Sequence, residues 1–410
     1  MCSSVSIADT DDNPLSHRSA WAEPQYRRFF PASCFGTLGS WLIRFLFGWS
    51  AWELTHSAFW VGMVAGAMLL PTFLFSPLFG IVSDRINPRN GLVVTVLAHG
   101  LVAALAGLAD VLGLLDLPSL LGLAILLGAA TSAHTPIRLS LVPKLVRRQA
   151  LPSAIGYSAM IFNSSRIIGP AIGAWLVAAF SEHFAFFVAT GLCIGAIPFI
   201  LAIEGISRAV RDEPVGFLRE LEAGLVYVAS HRAIKVVLGL TLLNGLLGRT
   251  LLELLPAVSG QLLNGTPETL ATLSATAGAG SILGGLIVSR QGGEQSRLLG
   301  LVSKCLVLGS ACLFAVQYLH GLAAFSMLVF ALSMTTTMAG TSSQALAQLM
   351  VDDVYRGRVL SLWTMLAMGA PAIGAILVGA LAQAWGFPLV SAGTAMAALA
   401  ILWMLRGRYR

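Results

Sequence analysis

Pro170-Ala-Ile-Gly-Ala174-Trp-Leu-Val-Ala-Ala-Phe180 and Pro371-Ala-Ile-Gly-Ala375-Ile-Leu-Val-Gly-Ala-Leu381 are two copies of one apolar motif, 201 residues apart. A second pair sits at nearly the same offset. Gly80-Ile-Val-Ser-Asp84-Arg85 is matched 205 residues later by Gly285-Leu-Ile-Val-Ser289-Arg290. Two matches at one offset, about half of the 410-residue chain, predict a duplicated architecture. Each match lies within or at the end of an apolar run long enough to cross a hydrocarbon core of about 30 Å as a helix.

Counting outward from these motifs gives twelve such runs, at 30–52, 58–82, 91–109, 118–140, 151–180, 184–203, 233–260, 270–289, 299–319, 321–346, 358–383 and 387–405. The charges support this segmentation. Of 25 Lys and Arg, three (Arg44, Arg166 and Arg249) fall inside apolar runs. The rest fall at the termini, in the even-numbered connections or at the helix ends beside them. The odd-numbered connections carry Glu53, Asp110, Asp116, Glu182 and Glu268 and no Lys or Arg. Cationic loops stay on the cytoplasmic side, so the pattern predicts cytoplasmic termini.

The expected fold is therefore all-α and integral to the membrane, with twelve transmembrane helices in two pseudo-symmetric six-helix halves. Six is even, so both halves insert in the same sense, related by an axis along the membrane normal, with a site between them near mid-bilayer. Residues 1–28 read as a disordered cytoplasmic lead, 29–203 as the first half, 204–232 as a cytoplasmic linker, 233–405 as the second half and 406–410 as a tail. In the linker, Phe217, Leu218, Leu221, Leu225 and Val228 fall on one helical face, predicting an interfacial amphipathic helix.

Composition agrees, at 56% hydrophobic and 11% charged residues. The mean hydropathy is +0.81. The net charge of +6 is loop charge facing anionic lipid, not a nucleic-acid footprint. The five cysteines have no metal-ligand spacing, and neither a metal nor a cofactor is expected. No phosphate-binding glycine loop of the ATPase type is present, so an ion gradient is the expected energy source.

Ionisable residues inside spanning helices face a cavity or a partner by default. Thr37, Ser40 and Arg44 share one face of helix one with Ser33, predicting a polar cavity stripe. Arg166 lies mid-helix five beside Asn163. Arg249 and Glu253 stand one turn apart on helix seven, close enough to pair. These residues, with three positive charges against one negative, favour an anionic or zwitterionic substrate. Glu253 is the only mid-membrane carboxylate and the best candidate to carry a proton. Its sequence is equally that of a fixed ion-pair partner. On helix ten, Thr335 to Thr337 read as interhelical hydrogen-bonding residues. His99 and His134 could each titrate near neutrality, and the plainer reading is that they are packing residues.

The chain after residue 28 resembles the major facilitator superfamily. Gly80-x-x-x-Asp84-Arg85-x-x-x-Arg89 is similar to the superfamily's cytoplasmic loop signature, a charged latch that the resemblance extends to Arg138. Gly156, Ser165, Gly169, Pro170 and Gly173 are similar to the helix-five signature of antiporters. Leu38-Gly-Ser-Trp41, Trp52-Glu-Leu-Thr-His-Ser57, Pro136-x-Arg138, Asn163-x-x-Arg166 and Arg249-x-x-x-Glu253 together resemble the bacterial secretion-effector branch, which includes enterobactin-type siderophore exporters and macrolide efflux pumps. The resemblance implies a monomeric exporter in a bacterial inner membrane, exchanging a siderophore-like metabolite or drug for protons. The alternatives are an importer of an anionic nutrient or a lysolipid flippase of the same fold. A membrane enzyme would need a catalytic cluster that the sequence lacks.

Overall fold

The computed structural model describes residues 19–147, 149–204, 217–290, 294–351 and 353–406. Among these residues the structure is helical, with no strand. The first six helices are α1 (Pro24–Thr55), α2 (Ala58–Arg85), α3 (Pro88–Val111), α4 (Leu117–Leu145), α5 (Leu151–Ala179) and α6 (Glu182–Leu201). A shorter helix, α7 (Phe217–Ser230), joins the halves. The seventh long rod is interrupted. It comprises α8 (Arg232–Asn244), a π turn (Gly245–Arg249), α9 (Thr250–Glu253) and α10 (Leu255–Leu263). Then come α11 (Pro267–Ser289), α12 (Gln295–Ala315), α13 (Leu322–Met350), α14 (Asp353–Trp385) and α15 (Phe387–Arg406).

Twelve long rods are thus present among the described residues, besides α7. Ten are long and apolar enough to cross a membrane. The other two are α1 and α5, which carry Arg44 and Arg166 on polar stripes.

The ends of the rods follow from local chemistry. Asp116 caps α4 in a reciprocal box with Ser119. The Ser119 N–H that it accepts holds the Asp116 carboxyl below its usual range. His56 ends α1 and Asn264 ends α10, both in the left-handed region (φ 48° and 45°). Each closes the first rod of its half, so the duplication extends to the caps. Residues 19–28, expected within the lead, are structured. Ser19 caps a 3-10 turn at Ala20–Ala22, and α1 already starts at Pro24, where proline suits the first turn. Tyr26 is buried there and donates to the Ala154 carbonyl at 3.2 Å.

The interruption of the seventh rod corrects the expected unbroken helix over 233–260. Pro256 has no N–H and crowds the preceding turn, and the chain breaks at Leu254 (φ −92°, ψ 9°). Before it, Gly245 and Gly248 let α14 and α13 come close; a Cβ on Gly245 would meet that of Ala370 at 2.6 Å.

The halves meet chiefly through α2 against α14 and α5 against α11. The internal repeat relates α2 to α11 and α5 to α14, so its symmetry exchanges these two contacts. Small residues let the backbones touch, as packing in lipid requires. Gly62 abuts the Ala375 carbonyl, Gly379 that of Ala58, and Gly48 the ring of Pro256. Gly260 accepts the face of Trp52. The Ala58 N–H donates to Gln383 Oε1 at 2.9 Å. All these contacts lie toward one end of the bundle, where α1 turns into α2 and α14 into α15. The deeper glycine contacts between halves, Gly278 with Ile167 and Gly369 with Phe73, lie nearer mid-helix. That end is sealed.

Helix α7 packs on α8 and α14 through Tyr227 and Val228. Tyr227 stacks on Tyr355 with ring centroids 4.3 Å apart. Leu225, expected on the apolar face, is 52% exposed. The side chains of Phe217, Leu218 and Leu221 lie outside the described residues.

Candidate functional site

One turn below the sealed end, the charged residues of both halves converge. Arg44 Nη2 on α1 lies 2.8 Å from Glu253 Oε2 on α9. Their side chains are 24% and 15% exposed. The pairing differs from the expected Arg249–Glu253 contact. The π turn before Glu253 and the break after it remove the regular helical register, and α1 crosses close enough to take the carboxylate. Arg249 is near enough to feel both charges, yet among the described residues it has no carboxylate within 4 Å.

Arg166 on α5 also crosses between the halves. It donates to Ser281 Oγ on α11 at 2.7 Å. Thr337 donates to the same oxygen at 2.9 Å. Ser281 must then donate onward to Ser333 (2.8 Å), which donates to the Ala277 carbonyl at 2.6 Å. The result is one directed chain of hydroxyls leading away from a cation. Thr335 and Thr336 bond carbonyls of their own helix.

Trp41 lies between the two arginines. The guanidinium carbons of Arg44 and Arg166 stand 5.6 and 5.7 Å from its ring centroid. Such contacts contribute roughly 0.5–2 kcal/mol each. Sequence reasoning named Trp41 only as part of a motif and missed Ser281. Their signal was spacing, since Trp41 precedes Arg44 by three residues and so shares its face.

Other expected site residues lie elsewhere. Thr37 is buried in the first half. Ser40 lines a small cavity with His99, His134 and Cys193, not the charge cluster, because α1 is packed on three sides by its own half. Asn163 is half-buried on α5. Gly169 and Gly173 pack on α1; a Cβ on Gly169 would meet that of Trp41 at 2.8 Å. Pro170 and Ser165 are buried in the same helix, whereas nothing described lies within 4 Å of a Cβ on Gly156.

Of the expected latch, the surroundings of Gly80 and the side chains of Asp84 and Arg85 lie outside what the structure describes. Arg89 donates to the Ile203 carbonyl at 3.1 Å, just past the end of α6. Arg138 lies inside α4, which runs on to Leu145. A separate cavity of about 380 Å³ opens between α8, α12 and α13, beside Arg232, and contains none of these residues.

The profile of the family described as transmembrane secretion effector matches residues 16–409. The chain belongs to that family. This secretion-effector protein is 25% identical over 328 residues to macrolide efflux protein A of Streptococcus pyogenes, covering 79% of this chain and 81% of that one. It is 23% identical over 370 residues to the staphyloferrin A transporter of Staphylococcus aureus, covering 87% and 89%. Among solved structures it resembles a mutant of nucleoside transporter NupG (TM-score 0.73, 13% identity, 93% and 98% covered). A bacterial homologue of the lysosomal transporter Spinster is also similar (TM-score 0.69, 13% identity, 94% and 96% covered). These structures share its fold, that of the major facilitator superfamily. The secretion-effector protein is accordingly a multi-pass membrane transporter of small molecules and not an enzyme.

Proposed function

We propose that this protein is a secondary exporter of a small amphipathic molecule, driven by proton exchange across a bacterial inner membrane. The Arg44–Glu253 ion pair carries this reading, because it ties the two halves together directly beneath the sealed end. All twelve long rods span, and the cationic connections face the cytoplasm. The sealed end then faces outward, and the conformation is the cytoplasm-facing one of an alternating-access cycle.

The site also supports one sign of coupling. A proton on Glu253 removes the partner of Arg44, so a purely anionic substrate would bind better with the proton and travel with it. A substrate with its own positive group would compete with the proton for Glu253. Competition for one group gives exchange. The substrate proposed is therefore zwitterionic or amine-bearing, its anionic or polar part held by Arg166 and Arg249 and its cationic part by Glu253. The names of the macrolide efflux and siderophore transporter relatives are in keeping with such substrates.

Purified protein in liposomes tests the sign, with a panel of macrolides and carboxylate siderophores as probes. Acid on the side opposite the substrate should accelerate its movement. Acceleration by acid on the same side would establish cotransport and the importer reading.

Orientation has its own test. Cysteines introduced at Asp116 and Glu268 should react with an impermeant thiol reagent in intact cells, and one at Glu294 should not. All three positions are exposed. Labelling at Glu294 would invert the topology.

A further inference from the structure

Two histidines lie inside the first half, away from the charge cluster. His99 on α3 is 4% exposed, and His134 on α4 meets it edge to face with ring centroids 5.4 Å apart. Both line the small cavity that also contains Gly36 and Ser40 of α1, Val96 of α3 and Cys193 of α6.

Their hydrogen bonds are built for two protonation states. His99 Nδ1 lies 2.7 Å from the Thr95 carbonyl, which only accepts, so Nδ1 carries a hydrogen. His99 Nε2 lies 3.1 Å from Thr131 Oγ1. That hydroxyl is also 2.8 Å from the Leu127 carbonyl. Thr131 has one hydrogen for two acceptors. With His99 neutral, the hydroxyl donates to Nε2. With His99 cationic, Nε2 donates to the hydroxyl oxygen, and the hydroxyl turns to Leu127.

His134 is bonded at one ring nitrogen. Its Nδ1 lies 3.1 Å from Thr95 Oγ1, which is 3.1 Å from the Leu92 carbonyl. Each imidazole thus faces a hydroxyl that can donate to it or accept from it, and His99 has a partner at both nitrogens in either state.

The surroundings limit the charge. Arg138 stands one turn beyond His134 on α4 and adds a positive field. From α1 the cavity receives Gly36 and Ser40, and from α6 the Cys193 thiol. No carboxylate among the described residues lines it. Two imidazolium rings this close repel, so the pair titrates as a unit holding one proton.

We propose that His99 and His134 form a one-proton binding site within the first half, separate from Glu253, with Thr95 and Thr131 as the hydroxyls that accommodate both states. The site deepens the proton-exchange reading by giving the first half its own proton-holding group, and its consequence for transport rests on that reading.

Proton occupancy is measurable without transport. Deuterium exchange at the imidazole C2 position, followed by mass spectrometry on the purified full-length protein, yields a titration for each histidine. One proton should bind to the pair within the pH range over which the protein stays folded, and a second should not. His134→Gln should strengthen proton binding at His99 by about tenfold, and His99→Gln should do the same for His134. Thr131→Val keeps the volume and should weaken proton binding at His99 by a similar factor, so it decides the matter if a glutamine variant fails to fold. Glu253→Gln should leave both titrations in place, whatever it does to transport. Histidines that titrate independently of each other, or that take up no proton in this range, would overturn the proposal.

Discussion

A Glu253→Gln protein should reach the membrane in normal amount and lose pH-driven transport by about 100-fold. The amide keeps the shape of the side chain and an oxygen for Arg44, but it neither titrates nor carries charge. A charge pair at this depth contributes roughly 4 kcal/mol at an effective dielectric of 20. Most of that acts on the balance between access states, because Arg44 and Glu253 belong to different halves and separate when the sealed end opens. A bias of about 2.7 kcal/mol is enough for a 100-fold change in that balance. Three measurements on the same variant separate the possible roles. Normal protein level with weakened binding and gradient response lost identifies Glu253 as the group that substrate and proton share. A large fall in folded protein marks it as a fixed partner for buried arginines, whose loss costs about 3–5 kcal/mol. Normal pH-driven transport by a well-expressed variant would remove Glu253 from the mechanism.

Gly62→Leu should abolish transport by holding open the sealed end, which is the outer one in the orientation proposed above. Gly62 on α2 faces the backbone carbonyl of Ala375 on α14, with no flexible side chain between them to give way. Any side chain there forces the two helices apart in the conformation seen here. The opposite access state, in which these ends separate, has room for it. The variant should therefore accumulate in the outward-open state. A cysteine at Ser259, which is fully buried beneath this end, should become reactive to an impermeant thiol reagent in the Gly62→Leu background alone. Wild-type transport rates in Gly62→Leu, or protection of the Ser259 position, would show that the α2–α14 contact does not close the outer gate.

The duplicated fold was legible because lipid imposes simple rules. Backbone groups must be satisfied within helices, and loop charge is sorted across the bilayer, so hydropathy and Lys/Arg placement locate the helices. The Pro170 and Pro371 motifs lie in α5 and α14, which the symmetry of the helix contacts relates. Gly169 and Gly173 pack on α1 as small residues in lipid should. The ends were read less well. Tyr26 lies in a polar segment, and only the pocket against α5 makes its burial favourable. Arg138 follows Pro136, a proline that α4 accommodates in its interior.

Sequence by itself determined which residues must be buried charges: Arg44, Arg166, Arg249 and Glu253 interrupt apolar runs, and each has to find a partner. It did not determine which partner. Along a regular helix, Arg249 and Glu253 are neighbours by geometry, and no rule of spacing points to Arg44, 209 positions away. The tertiary structure decided this through three features that sequence periodicity does not encode. The π turn at Gly245–Arg249 and the break at Leu254 change the direction of the seventh rod. The Gly48–Pro256 contact then brings α1 against it at that level. The same holds for Trp41, shared by two arginines, and for Ser281, the acceptor of Arg166. Pairing across the interface between halves depends on how two rigid bodies meet, and that is set by many small contacts together, of which each helix carries only its own side.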